Sequence, residues 1–513
     1  MLTRLLVLAL LTGGSAGCIV DRLVTPKATA DAPLVVSGRG YYAAPDGMRA
    51  GDGSLAQPWD LATALGGAGV VGPGDTIWLR GGTYHPAEEG AFRSTVEGTA
   101  GHPVVVRQYP GERAILDGAG TPSGFSVLNV EGPWTVFWGF EVTNTDATRI
   151  TTSTATDFRA NGVSNYASHT RFVNLVIHDG GVGFYTDPLQ SDVEIAGCVI
   201  YNNGWQGPDR GHGHGLYLMS NSGPVVARDN VVFNQFGYGV HAYADPGWRL
   251  VNIRVEGNVA FNNGTLADNS TAANILLGGN EPASGDVLEN NATYFASSDT
   301  SSTNVRIGWN AARNGSMQLQ GNYFVGGGPV LEVGNWSSAA VTENSFVGTD
   351  SLRLLISLTD SAPAGQLWSQ NIFDAAPGVR AWSFRDSIYT FDVWERVTGL
   401  IGAGDVVSGL PGPTRVIVRP NPYEAGRANI VVYNWSDQAA VAVDLTRVLS
   451  LGATYEIRNV QNLFGPPVVA GTYRGGAVTL PLSGVAPPSP IGIASRAPAT
   501  GTRFNVYIVT VKP

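Results

Sequence analysis

A short phrase built around asparagine recurs through the middle of this 513-residue chain. In each copy an asparagine, or once a glycine, precedes two or three apolar residues. Successive copies lie about 22–35 residues apart, a spacing typical of a solenoid in which each repeat forms one coil. We expect each anchor to adopt left-handed backbone angles at a corner, with its side-chain amide bonded to the next coil. The anchors are Asn174, Gly197, Asn230, Asn258, Asn291, Asn322, Asn344 and Asn371.

The composition favours short strands joined by many turns. The chain contains 67 glycines and only 14% charged residues, a profile that excludes a helix-rich protein. The net charge of −10 and the lack of a basic stripe argue against a nucleic acid partner. The lysines are Lys27 and Lys512, so no lysine from the middle of the fold is available as a catalytic base.

Two early segments extend the repeat toward the N-terminus. Residues 52–85 contain a short amphipathic segment, Pro58–Leu65, with Trp59 and Leu65 as apolar contacts, and then the strand "GDTIWLRGGTY". Residues 101–118, "GHPVVVRQYPGERAILDG", continue with two more strands. With the repeat, these segments resemble the right-handed parallel β-helix of the pectate-lyase-like superfamily. The resemblance implies an all-β fold with an N-terminal helical cap. It does not choose a function, because that superfamily includes lyases, hydrolases, epimerases and binding proteins.

The ends of the chain differ from the repeat. Residues 1–18 combine Arg4, an apolar run and the sequence Ser-Ala-Gly-Cys, which resembles the lipid-modified box of bacterial lipoproteins. We therefore expect a signal peptide over 1–18, a linker over 19–35 and a secreted or cell-surface lipoprotein. Its only membrane attachment would be a lipid on Cys18, with simple secretion as the alternative. We expect Cys198, the other cysteine, to be an apolar core residue.

The asparagine anchors end before residue 411. We predict the β-helix over 36–410 and a small β-sandwich over 411–513, where alternating strands such as "ANIVVYNW" and "FNVYIVTV" follow a Pro/Gly-rich join. This part of the chain resembles the C-terminal β-domains of many carbohydrate-active enzymes. A plain stabilising module and a sugar-binding module both remain open for it.

Side chains of a strand alternate between the two faces of its sheet, so the repeats can be aligned by their inward residues. The residues predicted to point inward are Phe184, Leu216, Val240, Ile275 and Val305. The next position in each strand then points outward and forms one column along the flank. That column consists of Tyr185, Tyr217, His241, Leu276, Arg306 and Glu332.

Ionisable groups gather near this column. Five of the 7 histidines lie between residues 169 and 241, and nearby turns supply carboxylates and an arginine. We interpret the cluster as a groove for an acidic polysaccharide, with further substrate contacts. These contacts are Tyr185, Asp187, Asp209, His212, Tyr243, Asp245 and Arg306. The tryptophans Trp309, Trp336 and Trp368 are interpreted as packing residues.

The favoured hypothesis is a lyase that cleaves a uronate-containing glycan by β-elimination. Histidine exchanges a proton near neutral pH, so His214 and His241 are the candidate base and its partner. Tyr217 is the candidate acid, and Arg210 and Arg306 are candidates to neutralise the uronate carboxylate. We expect a monomer, with calcium left open and no dedicated metal site.

Three alternatives stay open. A glycoside hydrolase would use paired carboxylates from Asp187, Asp209 or Asp245. Its support is the tripeptide "GHG" at 213–215, which resembles one polygalacturonase motif whose partner aspartates are missing here. A metal site would use His212 and His214, two apart on a strand, with His241 as a third ligand. A non-catalytic surface or adhesive protein would bind glycans, or only display a scaffold.

Overall fold

One copy of the asparagine phrase lies in each of eight successive coils, and each coil contains three short strands. In the computed structural model, strands of successive coils pair in parallel and build three long sheets of 12 strands each. The described residues are 19–20, 38–86, 90–268, 270–296, 302–309, 313–349, 354–359, 363–409 and 412–512. The predicted signal peptide, Cys18 and most of the predicted linker lie outside them.

The first sheet begins every coil, and all its neighbouring strands pair in parallel. Its strands are Gly40–Ala43, Thr76–Leu79, Val104–Gln108, Thr135–Trp138, Thr170–Val173, Val193–Ala196, Val225–Arg228, Ile253–Glu256, Asp286–Glu289, Asn314–Gln320, Trp336–Thr342 and Gln366–Ser369. The second sheet follows the asparagine corner. Its strands are Gly82–Tyr84, Ala114–Asp117, Glu141–Thr143, Val176–His178, Val199–Tyr201, Val231–Phe233, Val259–Phe261, Ala292–Tyr294, Tyr323–Val325, Ser345–Val347, Asn371–Asp374 and Gly404–Val407.

The third sheet completes each coil, and only its last strand runs antiparallel. Its strands are Phe92–Ser94, Ser126–Val130, Asn161–Asn165, Phe184–Thr186, Leu216–Leu218, Val240–Ala242, Ile275–Leu277, Val305–Ile307, Leu331–Val333, Ile356–Leu358, Trp382–Phe384 and Ser387–Tyr389. Two further strand pairs lie outside the three long sheets. They pair Trp205–Gln206 with Gly211–His212 and Leu250–Val251 with Ala283–Ser284.

A helix closes each end of the coil. The first, Leu61–Leu65, is shorter than predicted because the Asp60 side chain caps it by accepting from the Thr63 N–H. Leu65 and the preceding Trp59 are buried, as predicted. A 3₁₀ turn, Gly67–Gly69, follows. The second helix, Phe391–Thr398, buries Trp394 against the last coils. None of the described helices has the length and apolar character needed to cross a membrane.

Buried asparagines join the coils at the corner between the first and second sheets. The Nδ2 of each asparagine donates to the Oδ1 of the next at 2.8–3.1 Å, which confirms the predicted stacking of amides. Such a ladder satisfies polar groups that burial would otherwise leave unpaired. Its members are Asn230, Asn258, Asn291, Asn322, Asn344 and Asn371.

The expectation that these asparagines adopt left-handed angles is wrong. The residue with positive φ is the one before each ladder member, such as Asp229 at 52° or Gly257 at 66°. Asn174 and Gly197 do have positive φ, and they occupy that preceding position instead of the ladder. Each corner therefore uses two neighbouring residues. The first has the left-handed backbone angles that turn the chain, and the second is the asparagine whose side-chain amide bonds to the next coil.

The C-terminal part forms the predicted small β-sandwich. Its larger sheet comprises Ile19–Val20, Arg415–Pro420, Ala428–Tyr433, Phe504–Val511, Thr454–Asn459 and Val469–Thr472. The antiparallel pair of Ala440–Asp444 and Ala477–Pro481 covers one face of this sheet across a buried core. A 3₁₀ turn, Val460–Asn462, follows one of its strands. The strand Ile19–Val20 means that the predicted linker starts inside this domain.

The other face of the C-terminal sheet packs on the second sheet of the β-helix. Tyr433, Trp435 and Phe504 meet Phe261 and Tyr294 in one apolar cluster. The connection from 482 to 503, here called the C-terminal arm, continues along the corner between the second and third sheets. The Asn202 side chain donates to the Pro488 carbonyl, and the Asn262 side chain donates to that of Pro498. The two parts therefore share a core.

Candidate functional site

The outward column of the third sheet has the predicted register. Tyr185 pairs with Tyr217, Tyr217 with His241, and His241 with Leu276. Arg306 and Glu332 continue the column in the next two coils. The five residues predicted to point inward are fully buried. The alternation of the strands therefore sets which side chains face the flank.

An open groove of about 710 Å³ runs along this flank. The connections that lead into the third sheet, including residues 144–160, form its walls. Its floor and walls contain many of the predicted site residues. Those predicted residues are Tyr185, Arg210, His212, His214, Tyr217, His241, Tyr243 and Asp245. Other lining residues were not predicted, and they include Phe125, Asp157, Arg159, Tyr238 and Trp309.

His214 and His241 form a pair in this groove. Their ring centroids are 4.2 Å apart, and the rings of Tyr238 and Tyr243 stack against His241 with centroids 4.7 and 4.8 Å away. The Nδ1 of His214 accepts the Tyr238 N–H at 3.1 Å, so the neutral ring carries its proton on Nε2. The Nδ1 of His241 is buried and has no hydrogen-bond partner among the described residues.

Both imidazoles are held neutral. Burial, with the charges of Arg210 and His212, lowers the pKa of His214 to about 3. Burial, with His214 and Arg210 nearby, lowers the pKa of His241 well below its usual value. A positive charge in a low-dielectric site is costly, so the ring sheds its proton instead of holding it. Nδ1 of His241 has no partner among the described residues, so in the tautomer protonated on Nε2 this nitrogen can accept a proton.

Tyr217 lies beside this pair and carries a proton. Its ring centroid is 4.9 Å from that of His241, and its hydroxyl donates to the Asp245 Oδ2 at 2.7 Å. Burial raises the pKa of Tyr217 above its usual value, and the hydrogen bond to Asp245 raises it further. The tyrosine is thus a protonated phenol next to a neutral imidazole, as an acid and a base require.

The glycines around His212 and His214 direct the two rings apart. Gly213 has a φ of 83°, and a Cβ there would come within 2.4 Å of the Gly181 carbonyl oxygen. His212 instead stacks on Trp205, with ring centroids 5.3 Å apart, and its Nε2 lies 2.9 Å from the Asp209 Oδ1. The expectation that the two histidines share a strand face is wrong because Gly213 interrupts the strand.

The arginines divide between the groove and its surroundings. Arg210 lies on the rim with its side chain 49% exposed. Arg306 pairs through two nitrogens with the Glu332 carboxylate at 2.9 and 3.1 Å, and it is not among the groove-lining residues. Arg159 lines the groove, and four of its N–H bonds donate to backbone carbonyls. Arg159 therefore brings a positive charge that the sequence did not point to.

Two predicted carboxylates lie outside the groove lining. Asp187 accepts the Leu189 N–H at 3.0 Å and so stabilises its own turn. Asp209 holds His212, as described above.

The structure corrects the interpretation of one tryptophan. Trp309 lines the groove instead of packing in the interior, and its ring centroid is 6.3 Å from that of Tyr243. Trp336 and Trp368 are buried, as predicted. Among the described residues, no group of three or more His, Cys, Asp or Glu side chains is arranged to hold a metal ion.

The fold and the groove define a class: a right-handed parallel β-helix protein with an aromatic and imidazole-lined groove on its third sheet. The family description "Pel9A-like, right handed beta helix region" matches residues 41–304, just over half of the chain. The chain therefore belongs to this Pel9A-like β-helix family.

Individual relatives share either a short alignment or a low sequence identity with this chain. A pectate lyase named PEL9 from Emericella nidulans is 39% identical over an alignment of 92 residues, which covers 16% of this chain and only 20% of that protein. The solved structure of pectate lyase Pel9A is 18% identical, with a TM-score of 0.42 over 69% of this chain and 81% of that one. A rhamnogalacturonan lyase structure is 16% identical, with a TM-score of 0.40 over 73% of this chain and 87% of that one.

Proposed function

We propose that this protein is a polysaccharide lyase that cleaves a uronate-containing glycan by β-elimination. The observation that carries the proposal is the neutral His214–His241 pair, 4.2 Å apart, beside the protonated Tyr217 in an open groove. Membership in a family whose named relatives include pectate lyases supports the same class of reaction.

The groove residues suit the separate tasks of β-elimination. An imidazole of the pair, with His241 Nδ1 as the available acceptor, takes the proton on the carbon next to the uronate carboxylate. The electrons of that C–H bond form a carbon–carbon double bond, and the glycosidic C–O bond breaks. Tyr217 gives its proton to the leaving oxygen, and solvent exchange later restores both groups. Arg159 and Arg210 would neutralise the carboxylate, so we assign the role first given to Arg306 to Arg159.

Substrate binding would strengthen the base. The pKa of His214, about 3 in the free protein, is low for proton abstraction at neutral pH. An anionic carboxylate in the groove would stabilise the protonated imidazole and raise the pKa of both histidines. The site would therefore bind its anionic substrate with neutral rings and become basic only when that substrate is present.

The location, oligomeric state and partner of the protein are also part of what we propose. We propose an extracytoplasmic, monomeric enzyme, secreted or attached through a lipid on Cys18. An acidic polysaccharide is its partner. Calcium between the glycan and acidic turns is an optional part of the proposal, because the acidic turns offer oxygen ligands and calcium binds such ligands.

A glycoside hydrolase is the second candidate. Asp157 and Asp245 both line the groove, and two carboxylates that flank a glycosidic bond are what hydrolysis requires. Asp187 and Asp209, the other carboxylates considered from the sequence, lie outside the lining. A protein that only binds glycans is the third candidate, because the aromatic rings along the groove can stack on sugar rings without any chemistry.

A panel of acidic and neutral glycans separates these candidates. The full chain is incubated with each glycan, with and without a chelator. Ultraviolet absorbance of an unsaturated uronate indicates elimination, and new reducing ends without that absorbance indicate hydrolysis. Retention on a glycan column without either product indicates binding alone. Loss of activity with the chelator, restored by calcium, would support a calcium requirement.

Two variants test the assigned roles. We expect His241→Ala and Tyr217→Phe each to lower turnover by about 10²–10⁴-fold, because each removes a positioned proton-transfer group. The matched controls are His85→Ala, an exposed histidine, and Tyr473→Phe, which loses a hydroxyl that donates to the Gly476 carbonyl in the C-terminal domain. The lyase mechanism is wrong if both groove variants turn over at the rate of the controls.

A further inference from the structure

One wall of the groove is hydrogen-bonded from behind to a buried aspartate, Asp179. The wall is the connection 144–160, which includes Asp157 and Arg159 of the groove lining. Arg149, also in this wall, is 1% exposed and donates to the Asp179 Oδ1 at 2.6 Å. Arg159 donates through Nε to the Asp179 carbonyl oxygen at 2.8 Å. Arg149 also donates to the carbonyl oxygens of residues 202 and 204, so Asp179 is one of several anchors of the wall and the one that both wall arginines share.

Asp179 also contacts the C-terminal domain. The Ile491 N–H in the C-terminal arm donates to the same Oδ1 at 2.8 Å. The next residue of the arm, Gly492, touches the wall directly, because a Cβ there would come within 2.0 Å of the Ala147 carbonyl oxygen. On the side of the second sheet, His178 contacts the Asp179 Oδ2 at 2.8 Å. One carboxylate thus joins the wall, the arm and the sheet.

The backbone angles and the burial of Asp179 both suit a residue that joins these three segments. Asp179 has a φ of 58°, in the left-handed region that aspartate and asparagine tolerate better than most residues. The side chain is buried, so its bonds to charged donors are not screened by water. A displacement of the arm would leave Asp179 with one donor fewer and would release a direct contact with the wall.

We propose that Asp179 is a positioning residue through which the C-terminal arm holds the 144–160 wall of the groove in place. The C-terminal domain is then part of the binding site's architecture and not only a stabilising module. The inference concerns the shape of the groove and holds for whichever glycan binds there. Its consequence for turnover rests on the proposed function.

The test removes one hydrogen bond from the arm without changing the turn. The Ile493 N–H donates to the Pro490 carbonyl, and Gly492 has a φ of 85°, so residues 490–493 form a turn with Ile491 at its second position. Proline is favoured at that position. Ile491→Pro therefore deletes the N–H that reaches Asp179 and puts the ring Cδ in its place, which separates the arm from the carboxylate while the turn itself accepts proline. Ile491→Ala loses the side chain but keeps the N–H, and it is the matched control.

Amide hydrogen exchange of the full chain measures how firmly the wall is held. The probes are the amides of Thr151 and Gln206, which are bonded to the Gln206 and Arg149 carbonyls, respectively. We expect both to exchange on the order of tenfold or more faster in Ile491→Pro, the loss typical of one hydrogen bond to a charged acceptor. Asp179→Asn, which keeps the backbone tolerance, should do the same. Ile491→Ala should exchange as the unmodified chain does.

Kinetics and binding then separate positioning from chemistry. Ile491→Pro should raise KM, or weaken retention on a glycan column, by about tenfold. It should leave kcat nearly unchanged, because no proton-transfer group is lost. Exchange at Thr151 and Gln206 that is equal in the proline and alanine variants would overturn the inference. If no glycan is cleaved, the lyase proposal fails, but the exchange measurement still decides the role of Asp179.

Discussion

Three histidines are buried to nearly the same extent, yet the structure places them in opposite electrostatic surroundings. His178, on the second sheet, is 8% exposed, and His214 and His241, in the groove, are 9% and 8% exposed. His178 lies between two carboxylates, with Nε2 2.9 Å from Glu141 and Nδ1 2.8 Å from Asp179. The groove pair has tyrosine rings and a backbone N–H around it instead.

The difference shows that burial alone does not decide the charge of a histidine. Burial lowers the pKa of His178, but its hydrogen bonds to Asp179 and Glu141 outweigh burial and raise the pKa to about 9. Burial dominates at His214, whose pKa falls to about 3. His178 is consequently a structural cation, whereas the groove pair supplies neutral rings that can accept a proton.

The largest expected effect is on turnover. His241→Gln should lower kcat by about 10²–10⁴-fold, because it removes the imidazole that is proposed to accept the proton. His178→Gln should keep kcat within the same order of magnitude, because His178 does not line the groove. The measurement is the initial rate at saturating glycan. Equal losses of kcat in the two variants would contradict the different roles assigned to His178 and the groove histidines.

The next effect is on stability, and it runs the other way. His178→Gln leaves Glu141 and Asp179 buried without their shared cation, which should cost about 3 kcal/mol in the free energy of unfolding. Each carboxylate keeps one arginine, Arg113 or Arg149, so the cost should not exceed that range. His241→Gln loses no ion pair and should cost about 1 kcal/mol. Urea unfolding followed by circular dichroism measures both; equal losses would contradict the assignment of His178 as a structural cation.

The pH dependence of stability should separate the two environments further. The pKa of His178 rises from 6.5 to about 9 on folding, so its contribution is complete below pH 6.5 and is lost as the pH rises through 9. The pKa of His214 falls to about 3, so the unfolded chain binds a proton that the folded chain refuses. The free energy of unfolding should therefore fall as the pH falls from 6.5 toward 3.

Differences between the unmodified chain and each variant isolate these terms. The free energy lost by His178→Gln should shrink by about 3 kcal/mol between pH 6.5 and 9.5. The acid-side loss of stability should be weaker in His214→Asn than in the unmodified chain. A loss in His178→Gln that stays constant across the alkaline range would show that the ring is not charged.

The smallest effect is expected at Arg306. It lies two coils beyond His241 in the same column, but its charge is already paired with Glu332, as that of His178 is paired with its carboxylates. Arg306→Gln should therefore change kcat/KM by less than about tenfold, within the cost of a partly exposed ion pair. Arg159→Gln, in the groove lining, is the contrasting variant and should lose more. A larger loss at Arg306 would return the carboxylate-neutralising role to it.

Much of the flank could be predicted because its order is periodic. The apolar positions fixed which residues of each strand point inward, and the repeat then placed Tyr217 and His241 side by side. The asparagine ladder followed from the same spacing. The second role at each corner, the left-handed residue one position earlier, was missed because the phrase does not distinguish neighbouring turn residues.

The connections between strands follow no period, and the errors lie there. Arg159 and Asp157 come from the irregular segment 144–160, whose path over the groove nothing in the local sequence sets. Trp309 follows a strand and looked like a packing residue. Tyr238 lies three residues before His241, and its nearness to that histidine was the one available signal for it.

The sequence by itself determined the coil, its corners and the column of side chains on the flank, because these depend on alternation along strands and on a repeat of fixed length. Only the tertiary structure decided which histidines are charged, which arginine enters the groove and how the C-terminal arm reaches Asp179. Those properties depend on distances between segments up to 312 residues apart in the chain, and electrostatic interactions follow such distances through space instead of sequence order.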